Sequence, residues 1–150
     1  MESQFQLTEF LPYRITRLAE RVSRSLAGVY ADRFGISVPQ WRVLATVHEF
    51  PGLAATVVAQ RCNLDKVKVS RAVTALEQQG YLVRTRDDSD GRASHLHLSE
   101  EGSRLFSEIA PLAMEWEAEL LADLGVTERA AVADLLDRLE ARASLLEKEH

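Results

Sequence analysis

The stretch Asp65-Lys66-Val67-Lys68-Val69-Ser70-Arg71-Ala72-Val73-Thr74-Ala75-Leu76-Glu77-Gln78-Gln79-Gly80 decides the fold. Asp65 is a good N-cap, because its carboxylate accepts from the free N–H groups of a first helical turn. Val69, Val73 (or Ala72) and Leu76 recur at helical spacing and mark an inward face. Gly80 suits a left-handed stop after the helix. The outward positions are then Lys66, Val67, Lys68, Ser70, Arg71 and Thr74. Arg and Lys can reach guanine acceptors or phosphates, Ser and Thr either, and an apolar side chain can touch a thymine methyl.

On the N-terminal side, a short helix is expected over 54–61, with Val57, Val58 and Ala59, joined to the next by the tight connection Cys62-Asn63-Leu64. On the C-terminal side, residues 82–86 and 94–98 alternate apolar and polar around the polar cluster Asp87-Asp88-Ser89-Asp90-Gly91, which predicts a two-stranded hairpin. Helix, short turn, helix and hairpin is the order of a winged helix-turn-helix, whose second helix enters the DNA major groove. Arg86 and Arg92 stand on the hairpin, where a protruding arginine suits a narrow, electronegative minor groove. Asp90 is expected to hold Arg92 in place.

Further out, Ser37 or Val38 begins a helix over 39–49 with Pro39 in its first turn, and Trp41, Val43, Leu44 and Val47 inward. One long helix is expected over 7–34, with Pro12 near its start, Gly35 at its end, and an apolar stripe Leu11, Ile15, Leu18, Val22, Leu26 and Val29. Ser99 is expected to cap a helix over 100–122, and Thr127 a last one with the stripe Val132, Leu135, Leu139, Ala143 and Leu146. The fold class is therefore mainly α (an α+β winged helix). It comprises one unit over 1–150, with a winged-helix core at 37–98 and helical arms at 7–34 and 100–146. The arm stripes are too long for the core to cover, which leaves two readings: both helices pack onto the core of their own chain, or the termini of two chains intertwine as a homodimer. Its two-fold axis would set two recognition helices about 34 Å apart on one DNA face.

Composition narrows the classes. The 150 residues carry 46% hydrophobic and 27% charged residues, few Gly (7) and Pro (4), and one Cys, Cys62. That excludes a disordered chain, a many-stranded sandwich, a disulfide framework and a Cys-rich zinc site. No membrane span and no signal peptide is visible, so a cytoplasmic protein is expected. Net charge is −5, but residues 1–60 balance at +1, 61–98 at +2 and 99–150 at −8. The asymmetry, not the mean, points to a surface for polyanions on the first two segments. No Gly-rich phosphate loop, Gly-x-Ser-x-Gly or His-Glu-x-x-His occurs, and no enzyme is expected.

Residues 65–83 resemble the recognition-helix segment of the MarR family of bacterial regulators. Arg84-Thr85-Arg86-Asp87-Asp88-Ser89-Asp90-Gly91-Arg92 resembles its wing, Leu98-Ser99-Glu100-Glu101-Gly102 its strand-to-helix junction, and Pro39-Gln40-Trp41-Arg42-Val43-Leu44 its second helix. The resemblance spans essentially the whole chain. It implies a homodimeric winged-helix transcription regulator, usually a repressor released by a small ligand. Val67 and Lys68 depart from the small polar residues common at those positions, which bears on the base sequence read.

Arg14, Arg17, Trp41, His48 and Trp116 are candidates to line a cavity between the arms and the core. Aromatic walls with cationic groups suit a small aromatic carboxylate, the kind of effector the resemblance implies. No cofactor and no metal is expected: His95 and His97 share a strand face but lack an evident third ligand. Cys62 is expected to be a small buried hydrophobe, with redox sensing as the alternative if its thiol were exposed and acidified. The other alternative is a winged-helix protein-interaction module, against which Lys66, Lys68 and Arg71 count.

Overall fold

The structure, a computed structural model, describes residues 4–87 and 90–150, with the side chains of Asp87 and of residues 90–93 outside the described set. A 3-10 turn (η1, Leu7–Glu9) precedes helices α1 (Leu11–Phe34), α2 (Val38–Glu49), α3 (Ala55–Arg61) and α4 (Lys66–Gln78). Strands β1 (Leu82–Asp87) and β2 (Asp90–Leu98) follow, then α5 (Glu100–Leu120) and α6 (Val126–Glu149). The chain divides into two compact units, residues 1–113 and 114–150.

The first unit is the winged helix with the ends of two longer helices built into it. Val43, Leu44 and Val47 of α2, Val58 of α3, and Val69, Ala72, Val73 and Leu76 of α4 form its centre. Leu82 and Leu96 close it from the hairpin, Tyr30 of α1 and Ile109 of α5 from the flanking helices, and Ile36 from the α1–α2 connection. All are 5% exposed or less. Ser37 caps α2 with a reciprocal pair: its hydroxyl accepts from the Gln40 N–H at 3.2 Å, and the Gln40 side chain accepts from the Ser37 N–H at 2.9 Å. The turn between α3 and α4 is tight because Asn63 adopts the left-handed region (φ 52°), which Asn tolerates better than most residues.

β1 and β2 are antiparallel, with Leu82 opposite Leu98, Arg84 opposite Leu96 and Arg86 opposite Ser94. The middle of β2 is tied down by the α2–α3 loop. Ala54 bridges His95, the Gly52 N–H donates to the Leu96 carbonyl at 2.9 Å, and the Leu96 N–H donates to the Leu53 carbonyl at 3.0 Å. A lone hairpin is marginally stable in water, so these ties matter. At the start of α5 the Ser99 hydroxyl accepts from the Gly102 N–H at 3.0 Å, the expected cap. Gly102 passes so close to Tyr81 that an added Cβ would overlap the Tyr81 carbonyl oxygen.

Several boundaries differ from the sequence expectations, most by a single residue. The helix expected from 7 starts at Leu11, because Pro12 belongs in a first turn, and residues 7–9 form a separate 3-10 turn. β2 begins at Asp90, earlier than 94, because Asp90 pairs with Asp87 across a register shift in the ladder. The helix expected over 100–122 ends at Leu120. α6 starts at Val126 with Gly125 as its N-cap, and Thr127 lies inside the first turn. There Glu128 reaches back, accepting from the Gly125 N–H at 3.0 Å. The second unit holds the end of α5 and α6, and every residue of α6 is exposed.

Candidate nucleic-acid interface

α4 is a sharply two-faced helix. Asp65 holds its start, accepting from the Lys68 N–H at 2.9 Å. The Lys68 ammonium stands 4.0 Å from the same carboxylate, but both side chains are well exposed, so the pair adds little. With Val69, Ala72, Val73 and Leu76 buried, the six residues singled out from the sequence (Lys66, Val67, Lys68, Ser70, Arg71 and Thr74) are all exposed. Val67 keeps 58% of its surface in water. Lys68 and Arg71 also border a small cavity with Ser37 and Gln40 at the start of α2. A second cavity, about 440 Å³, opens between α3, α4 and β1 beside Lys66, Ser70 and Arg84.

On the hairpin, Arg86 is exposed. Asp90 and Arg92 fall in β2, but their side chains lie outside the described residues, as does the turn at 88–89. Sequence reasoning missed the neighbouring Arg84. Its Nη2 lies 2.6 Å from Oε1 of Glu77 on α4, its Nε donates to the same oxygen at 3.2 Å, and its Nη1 donates to the Ser94 hydroxyl at 3.2 Å. Strand alternation offered a signal: Leu82, Arg84 and Arg86 share one face, so a charged residue directly follows a core position on the side facing α4.

His95 is half-buried on β2. Its Nδ1 is 2.9 Å from the Gly52 carbonyl, where it donates and helps seat the hairpin on the α2–α3 loop. Among the described residues no three His, Cys, Asp or Glu side chains gather as a metal site requires.

The candidate effector residues divide. Trp41 lies between two rings, with Tyr30 at 5.4 Å and Phe106 at 5.7 Å centroid separation, both nearly parallel. His48, two turns on along the same face of α2, stacks on Phe106 at 4.0 Å. A column Tyr30–Trp41–Phe106–His48 results, buried at the Tyr30 end and exposed at His48. Tyr30 and Phe106 were not singled out from the sequence. Arg14 and Arg17 are exposed on α1, Arg17 lying 6.0 Å over the Tyr13 ring. Trp116 is half-buried on the part of α5 that belongs to the second unit.

Cys62 is 3% exposed, with Thr46 Oγ1 3.6 Å from its sulfur. Burial pushes its thiol pKa up, and Thr46 and Arg42 offset only part of that. A raised, buried thiol is a poor nucleophile, the opposite of what oxidation sensing needs. Burial likewise raises Tyr30, with Arg42 opposing.

The sequence model of the MarR family matches residues 34–93, which hold the whole of α2, α3, α4 and β1 and the start of β2. The chain is similar to the HTH-type transcriptional regulator BilQ of Clostridium symbiosum, with 28% identity over 105 residues, 70% of this chain and 73% of the relative. Two solved structures are similar along nearly their whole length. A MarR/EmrR family transcriptional regulator from Acinetobacter sp. ADP1 has 24% identity and a TM-score of 0.85, covering 94% of this chain and 99% of the other. The PcaV transcriptional regulator from Streptomyces coelicolor, solved in complex with its natural ligand, has 27% identity and a TM-score of 0.74, with the same coverage.

Proposed function

We propose that this chain, which belongs to the MarR family of transcriptional regulators, binds a pseudo-palindromic operator as a homodimer in the cytoplasm. It acts there as a repressor released by a small aromatic carboxylate. The observation that carries the DNA reading is the outward face of α4, where six side chains of base- and phosphate-reading types are exposed above a fully buried opposite face. Residues 37–98 form the reader. Arg71, Lys66 and Lys68 supply cations to guanine acceptors and phosphates, Ser70 and Thr74 short hydrogen bonds, and Val67 contact with a thymine methyl. Arg86, with Asp90 and Arg92, serves the flanking minor groove and backbone. The mildly basic balance of 61–98 beside the acidic 99–150 supports this orientation, since the acidic arm gains nothing near phosphate.

Residues 7–34 and 100–146 form the dimer. Leu7, Leu11, Ile15 and Leu18 on one arm and Val132, Leu135, Leu136, Leu139 and Leu146 on the other are each between 41% and 59% exposed in the single chain. A second copy is the natural cover for two such stripes, and dimerisation gives the two-fold arrangement that a palindrome needs. The effector reading is supported by the aromatic column ending at His48 and by the exposed cations Arg14 and Arg17. Trp41 already stacks with Tyr30 and Phe106, so an aromatic acid would extend the column at its exposed His48 end.

A gel shift with the DNA upstream of the chain's own gene, against unrelated DNA of equal length, tests the reading. Retention of the first at a salt concentration that releases the second is expected, and equal behaviour refutes sequence-specific binding. A thermal-shift series with aromatic acids tests the effector. A ligand at about 100 times its dissociation constant adds roughly 2.7 kcal/mol of stability, and the same compound should abolish the shifted band.

A further inference from the structure

We infer that Arg84 is a positioning residue for DNA binding. Its ion pair with Glu77 and its hydrogen bond to Ser94 lock the hairpin onto α4, so that Arg86 is aimed at the DNA beside the groove α4 enters. The inference rests on the DNA-binding reading above and adds a residue with no direct DNA contact.

Geometry carries it. Nε and Nη2 both point at one Glu77 oxygen, at 3.2 and 2.6 Å, while Nη1 reaches the Ser94 hydroxyl at 3.2 Å. Every guanidinium nitrogen is thus engaged within the protein, and the Glu77 carboxylate cancels the charge that a phosphate would seek. The three partners lie on three elements, α4, β1 and β2, so one side chain fastens both strands to the helix. The fastening sits where it is needed. Leu82 holds β1 in the core toward the base, Leu96 is buried directly opposite Arg84, and the Ala54–His95 bridge ties the outer edge of β2 one pair further on, while Arg84 reaches past that pair to Ser94. Toward the tip, Arg86 lies two residues beyond Arg84 on the same strand face, and its cross-strand neighbour is Ser94.

The pair is too exposed to matter much for stability, with side chains 35% and 31% accessible. What it fixes is direction. A hairpin free to swing about its base would have to be ordered at the moment of binding, and that lost freedom is subtracted from affinity.

The test uses the full-length protein on a DNA sequence selected from a randomised double-stranded pool, read by hydroxyl-radical footprinting and by affinity against salt. Two variants are compared: Arg84→Met, which keeps the apolar stem, and Glu77→Ala. The latch predicts that both melt within a few degrees of the parent and keep the α4 footprint in the major groove. Both should lose protection at the flanking minor groove, bind about tenfold more weakly and show a salt slope lower by about one contact. Glu77→Ala is decisive, because removing a negative charge near a polyanion should on electrostatics alone raise affinity. If Glu77→Ala binds as tightly as the parent or tighter, the latch is overturned and Arg84 acts alone. If the parent itself selects and protects no DNA, the DNA-binding reading fails, and this inference fails with it.

Discussion

Helices α4 and α6 both carry apolar residues at helical spacing, and the single chain treats them in opposite ways. α4 buries its apolar face completely, leaving Lys66, Val67, Lys68, Ser70, Arg71 and Thr74 in water. α6, with 24 residues, buries none, so Val132, Leu135, Leu136, Leu139, Leu145 and Leu146 are exposed along with its charges. What remains exposed tells what each helix awaits. A polar and cationic face above a rigid core has the chemistry of a reader. An apolar stripe longer than its own unit can cover has the chemistry of a subunit contact.

The strongest way to break this contrast is Leu139→Asp on α6. An unpaired carboxylate in an apolar seam costs several kcal/mol, and a two-fold dimer suffers it twice. Sedimentation should show monomer or unfolded chain, and operator affinity should collapse although α4 is untouched. A dimer with full affinity would place Leu139 outside the seam and shift the contact to α1.

Gly102→Ala strains the buried side of the comparison instead. The new Cβ meets backbone at Tyr81, which has no flexible end to move aside. A loss of about 3 kcal/mol is expected from such overpacking, read as a lower denaturant midpoint with an unchanged slope. Wild-type stability would mean that the α5 start can slide along the Tyr81 backbone.

Arg71→Ala sharpens the α4 half. It should leave melting unchanged and cost about 1–3 kcal/mol of discrimination at a single base pair, measured by competition between operator variants at fixed salt. Uniform weakening across all sequences would reassign Arg71 to a phosphate.

The smallest expected effect is Asp65→Ala, which removes the carboxylate accepting from the Lys68 N–H. Loss of such a cap costs about 1 kcal/mol, visible in chemical denaturation. Because the cap frames the first turn of the reader, DNA affinity should fall at least as far as stability does.

Local signals made much of this legible in the sequence. The Asp65 cap, the spacing of Val69, Ala72, Val73 and Leu76, and the stop at Gly80 concern residues within a turn or two of one another. The exposed face of α4 follows from them as geometry. The same holds for the Ser37 and Ser99 caps. The effector candidates were less legible, since Trp41 and His48 are brought together by Phe106, far along the chain on α5.

The sequence by itself determined which helices form, which face of each is apolar, and that the charge is divided between a mildly basic core and an acidic arm. Those are consequences of backbone periodicity and side-chain chemistry, and they need no partner. Only the tertiary structure decided that Arg84 grips Glu77 and Ser94, that His95 donates to Gly52, and that Gly102 must lack a side chain. Each depends on the distance between elements set by close packing of a shared core, and no pattern along the chain encodes that distance.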